Sequence, residues 1–197
     1  MHEKPCLLRN SRFANKIESM SMKGQDIVVL LKLAARGPRA WKYADLAGEL
    51  QMSASEVHAA LKRCQSSGLY NPSTRRENRA ALLEFLTHGV RYVFPAQPGP
   101  VRTGLPTSYA AEPLSRRIQF DPNEAPVMPL LHGPCRGPEI APLYPSAPAA
   151  AKKDDGLHRL LALVDALRSG RARERKLARD FLQLELERLD SHEPIGC

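Results

Sequence analysis

The chain has 197 residues, 43% hydrophobic and 25% charged, ordinary values for a protein that folds around one core. Its formal charge of +8 is uneven: 14 Lys+Arg face 7 Asp+Glu over residues 1–79, 7 face 6 over 80–154, and 8 face 8 over 155–197. A surplus confined to the first part favours a polyanionic partner, and the lack of any run near ~18 apolar residues excludes a helical membrane span.

Residues 1–21 are polar and expected to be frayed, without the apolar run of a secretory signal. Ile27, Leu30, Leu31 and Ala34 recur at helical spacing and predict a first helix from about Met22 to Ala35 or Arg36, stopped by Gly37-Pro38. A second helix is expected over 43–50 and a third over 53–67, ended by Gly68. Ser53 and Glu56 have the spacing of a capping box, in which each side chain satisfies the other's backbone N–H. The third helix should bury Val57, Ala60, Leu61 and Cys64, leaving Ser55, His58, Ala59, Lys62 and Arg63 on its other face. Leu69-Tyr70 then reads as extended and Asn71-Pro72 as a turn. A fourth helix is expected over 76–88, with Ala80, Leu83 and Leu86 inward and Gly89 as its cap. Val90–Phe94 is the best strand candidate.

The segments Tyr43-Ala44-Asp45-Leu46-Ala47, Met52-Ser53-Ala54-Ser55-Glu56-Val57, Leu61-Lys62-Arg63 and Gly68-Leu69 together resemble the winged helix-turn-helix transcription regulators of bacteria, broadly the MarR type. The resemblance covers residues 22–94. It implies a domain that lays one helix in the major groove of double-stranded DNA, as part of a homodimer built by terminal helices. One departure stands out: a helix is expected between the two strand candidates, so the wing is expected to be reduced or absent.

On that reading the helix 53–67 reads bases. Ser55, His58 and Lys62 lie at three- and four-residue steps on one side, and Ala59 permits close approach or touches a thymine methyl. Lys62 and Arg63 reach guanine or phosphate. Tyr43 and Ser53 complete the DNA-facing set, while Lys42, Arg75, Arg76 and Arg79 are phosphate clamps, Lys42 sitting where a helix dipole favours an anion.

Residues 95–154 form a proline-rich arm or linker: 13 of the 17 prolines fall in 95–150, so little regular sheet or helix is expected there. Large apolar side chains such as Phe120, Met128 and Tyr144 favour an arm draped over the domain or a partner rather than a solvated linker. Residues 155–190 should be helical, with one stripe of Leu157, Leu160, Leu161, Val164 and Leu167, and another of Leu177, Phe181, Leu184 and Leu189. Ser169-Gly170 marks the break. Arg168, Arg171, Arg175 and Arg179 fall on one helical face. A salt-bridged, solvated surface explains them more simply than a second DNA site or an acidic partner protein.

The expected fold class is therefore mainly α: a winged helix-turn-helix with a reduced wing, an irregular arm and C-terminal amphipathic helices for dimerisation or partner binding. The expected function is sequence-specific transcription regulation in the cytoplasm. The alternative is an antitoxin-like interaction module whose C-terminal helices and arm bind a protein. Cys6, Cys64, Cys135 and Cys197 are scattered, and His132 and Cys135 alone do not make a zinc site, so neither disulfide framework, metal nor cofactor is expected. No catalytic motif or catalytic residue is recognised.

Overall fold

The computed structural model describes residues 21–190. They form eight α-helices: α1 (Gly24–Arg36), α2 (Tyr43–Leu50), α3 (Ala54–Ser66), α4 (Arg79–His88), α5 (Val90–Val93), α6 (Ala147–Ala151), α7 (Asp155–Ser169) and α8 (Ala172–Asp190). A hairpin of β1 (Tyr70–Asn71) and β2 (Arg76–Glu77) follows α3, and three strands, β3 (Pro98–Pro106), β4 (Val127–Pro129) and β5 (Cys135–Ile140), lie between α5 and α6. The fold is mainly helical with little sheet. The expected frayed start falls almost wholly outside the described residues, as do Cys6 and Cys197.

The α1 helix is the centre of the molecule. Every residue from Asp26 to Ala34 is buried, not only the stripe at helical spacing, because α3 packs on one side of it and α7 on another. The α7 stripe of Leu157, Leu160, Leu161, Val164 and Leu167 is likewise buried, in the same hydrophobic cluster as Ile27, Leu46 and Leu61. That stripe is therefore covered within its own chain. On α8 the inward residues are Ala178, Leu182 and Leu186. Leu177, Phe181 and Leu189 flank them half-buried, and Leu184 points out with 58% of its surface exposed.

Three local expectations are corrected. Val90–Val93 is one helical turn, not a strand: after Gly89 the backbone of Val93 and Phe94 donates back to Gly89 and Val90. The helix α4 starts at Arg79, where the Asn78 side chain accepts from Ala81 N–H, and it buries Leu82 and Leu86 while Ala80 faces solvent. The proline-rich segment contains regular sheet: β3 pairs antiparallel with both β4 and β5, which touch each other in parallel register at Val127 and Glu139.

The prolines explain how a sheet survives there. Within β3, Pro98 and Pro100 flank a register shift against β5, and the proline-free run Val101–Leu105 carries most of the pairing. Two glycines let chains approach where no side chain fits. A Cβ on Gly104 would lie 2.0 Å from the Met128 carbonyl oxygen, and one on Gly137 would lie 1.9 Å from that of Ala125.

Candidate nucleic-acid interface

The capping box forms as expected. Ser53 N–H donates to Glu56 Oε2 at 2.8 Å, and Glu56 N–H donates to Ser53 Oγ at 3.2 Å. A third donor comes from far along the chain: the Tyr144 hydroxyl lies 2.9 Å from Glu56 Oε1. The Ser53 backbone N–H first, then the Ser53 and Tyr144 hydroxyls, hold the Glu56 carboxyl below the usual carboxylate range. The first turn of α3 is thus fixed at both faces.

With Val57, Ala60, Leu61 and Cys64 packed inward, α3 leaves Ser55, His58, Lys62 and Gln65 exposed. Their spacing puts them on one side of the helix. Beside them runs a groove of about 510 Å³ between α3, the start of α2 and the hairpin; Tyr43, His58, Lys62, Gln65, Tyr70 and Arg75 line it. Tyr43 is 36% exposed and its ring lies 5.6 Å from that of His58. Arg75, at the hairpin turn, is held rather than swinging free. Its guanidinium sits 4.3 Å from the Trp41 ring centre and donates to the Trp41 carbonyl at 3.1 Å, while Trp41 Nε1 donates to the Arg75 carbonyl at 3.2 Å. Stacking, the bond to the Trp41 carbonyl and one with the Tyr70 hydroxyl still leave guanidinium N–H groups for a phosphate.

Arg63 does not belong to this surface. It is 8% exposed and turns inward, giving Nε to Asp26 Oδ2 at 2.8 Å and Nη2 to Oδ1 at 2.6 Å; Asp26 is fully buried. Position 63 borders the apolar face of α3, so a buried acid on α1 can capture it. Burial foremost pushes the neighbouring Cys64 thiol up to about 12, so it stays protonated and behaves as a small hydrophobe.

Other expected contacts also change. Arg79 Nε lies 2.6 Å from Glu77 Oε1 and its Nη1 donates to the Leu186 carbonyl at 2.7 Å, so it ties the hairpin to α8 instead of waiting for phosphate. Arg76 is half-buried in β2 opposite Asn71. Lys42 is exposed, but its backbone N–H already donates to Asp45 Oδ2 at 2.9 Å, so a carboxylate occupies the anion position at the start of α2. Ser53 is engaged in its cap, and Ala59 is only half-exposed.

Gln65, Trp41 and Tyr70 were not among the expected site residues. Gln65 was within reach of the spacing argument, three residues beyond Lys62 and seven beyond His58. Trp41 had no local signal, because its role depends on a hairpin 34 residues away.

Comparison with protein families, with curated proteins and with solved structures finds no match to this chain. Among the described residues no group of three or more His, Cys, Asp or Glu side chains could hold a metal, and no helix is long and apolar enough to cross a membrane.

Proposed function

We propose that the chain is a sequence-specific double-stranded-DNA-binding regulator of the winged helix-turn-helix kind. The observation that carries this reading is the exposed stripe Ser55–His58–Lys62–Gln65, set on a helix whose opposite face is locked in the core and bordered by a pre-positioned arginine. A major groove admits one helix, and hydroxyl, imidazole, ammonium and amide groups are donors and acceptors suited to base edges. Gln65 adds a side chain that pairs with adenine in two hydrogen bonds. The hairpin, with two residues in each strand, stands where such domains carry a wing, and Arg75 at its turn would meet the sugar–phosphate backbone. Lys42 supplies a second, outward charge. Repression or activation at a promoter in the cytoplasm would follow from occupancy of an operator. A homodimer, if the regulator uses one, needs a surface other than the covered stripe of α7.

The test is selection of the full chain on randomised duplex DNA, followed by binding at several salt concentrations. A recovered consensus, altered by His58→Ala or Lys62→Ala, is the expected result. Arg75→Gln should weaken all sequences equally, because a phosphate contact carries no base information. Failure to retain any duplex at about 50 mM salt, where phosphate contacts are strongest, would reject the proposal.

A further inference from the structure

The arginine-rich stretch around the start of α8 is only in part the salt-bridged surface expected of it: Arg168 and Arg179 are paired with acids, Arg171 and Arg175 are not. Arg168 turns inward, 2.7 Å from Asp165 and donating to the Phe94 carbonyl at 2.8 Å. Arg175 donates to the Gly170 carbonyl at 2.6 Å. Glu174, the local acid, spends a carboxylate oxygen on the Arg171 backbone N–H at 2.7 Å. Arg171, Arg173, Lys176 and Arg179 remain exposed. Arg179 has Asp180 at 3.5 Å, and Arg171 shares the surroundings of the Tyr109 hydroxyl with Glu174 and Glu124; Arg173 and Lys176 have no hydrogen-bond or ion-pair partner among the described residues.

This placement opposes the helix's own electrostatics. The positive end of a helix dipole favours acids and disfavours cations. In α8 cations outnumber acids at that end: Arg173, Arg175 and Lys176 share the first turns with Glu174, whereas Glu185 and Glu187 lie toward the end with Arg188. Glu174 at the Arg171 N–H offsets part of this, so the surplus at this end is carried by Arg173 and Lys176. The 3-10 turn Leu114–Arg116 also packs against α8; there Arg116 is paired with Glu112 at 2.6 Å and Arg117 is exposed.

We infer that Arg171, Arg173 and Lys176 form a second, sequence-independent contact for the phosphate backbone of duplex nucleic acid. The surface is distinct from the α3 groove. Arg79 ties the hairpin side of the molecule to Leu186, thirteen residues beyond Arg173, which is roughly 20 Å along a helix. Phosphate is favoured over an acidic protein by composition. Guanidinium groups match phosphate oxygens in pairs, and no large apolar side chain is exposed between 168 and 180 to seed the core of a protein interface.

The experiment compares the full chain with its R171Q/R173Q/K176Q variant on duplex DNA of unrelated sequences between about 50 and 200 mM salt. Each phosphate contact contributes a log–log slope near 0.9, so the fourfold salt increase should cost the variant about 40-fold less affinity than it costs the wild type. The loss should be the same for every sequence. Removing cations from the positive end should also leave the melting temperature unchanged or slightly raised. An unaltered salt slope overturns the inference, as does a lower melting temperature, which would make the cations structural. Loss of binding to polyglutamate with DNA binding intact overturns it as well and assigns the surface to an acidic polypeptide. A K62Q/R75Q variant separates the two sites. If it leaves sequence preference and slope untouched while the α8 variant flattens the slope, the groove reading fails and this one stands.

Discussion

Two groups of cations, one around α1 and α3 and one at the start of α8, show why net charge by segment misleads. Residues 1–79 hold nearly all the formal surplus, yet much of it is consumed inside the fold. Arg63 is captured by Asp26, Arg79 by Glu77, and Lys32 by Glu49 and Asp154 at 2.7 and 2.6 Å. Residues 155–197 are neutral in sum, but cations outnumber acids at the start of α8. The charge that can meet a partner is what remains after internal pairing. Here Lys23, Arg39, Lys42, Lys62 and Arg75 stay exposed on the charged segment, and Arg171, Arg173 and Lys176 on the neutral one, so the two differ far less than their sums.

The largest effect should come from breaking a captured pair. Asp26→Ala leaves the Arg63 guanidinium buried without its carboxylate, a change that costs about 3–5 kcal/mol for a buried pair. Chemical denaturation would show it as a lower midpoint. Arg63→Gln should destabilise as well and leave the salt dependence of DNA binding unaltered. A protein as stable as wild type but weaker on DNA would return Arg63 to the interface and undo the comparison. Replacing both residues together by apolar ones of similar volume should cost far less than either single change.

The helix-turn-helix segment was legible because its signals are local. Ser53 and Glu56 cap a helix whose apolar spacing names its buried face, and both statements hold in three dimensions. Arg63 escaped because its partner lies 37 residues away on another helix. The sheet escaped for a different reason. Proline content averaged over 95–150 hides the proline-free run at Val101–Leu105, and the pairing residues are separated by loops with no regular period. Val90–Phe94 looked like a strand because β-branched and aromatic residues dominate it. A single turn packed beside α7 asks only for apolar side chains, and β-propensity is weak against such tertiary demands.

A mid-sized effect would sharpen the contrast between helical head and proline-rich segment. Gly104→Ala would drive a methyl against the Met128 carbonyl, and overpacking of this kind costs about 1–3 kcal/mol. Proteolysis should then cut within 95–140 while α3 keeps its DNA affinity. Should DNA binding fall with it, the sheet would have to support the groove. Ser53→Ala is smaller, near 1 kcal/mol for loss of a cap, and it loosens the turn that carries Ser55. Amide exchange at the start of α3 should rise without change in the sheet.

The smallest effect is acid sensitivity, and its sign discriminates between the two cation groups. Burial alone would raise the Asp154 and Glu49 carboxyls, but hydrogen bonds outweigh it and hold both below the usual range; Asp154 accepts from Lys32 and Leu157 N–H, Glu49 from Lys32 and Arg36. Lys32 moves the other way: burial would lower it, and hydrogen bonds to the same two carboxylates raise it above an ordinary lysine. The carboxyls therefore stabilise the fold above the ordinary carboxylate value near 4, and lose that contribution as pH falls through their depressed values. Lys32 keeps its contribution below its ordinary value and loses it only in strong alkali. Because Glu49 is 38% exposed, water screens its share and the effect stays modest. Denaturant midpoints should be flat from pH 7 to about 5 and fall below that, and Asp154→Asn should flatten the fall. The R171Q/R173Q/K176Q variant should follow the wild-type curve throughout, since cations without an acidic partner have no carboxylate to lose.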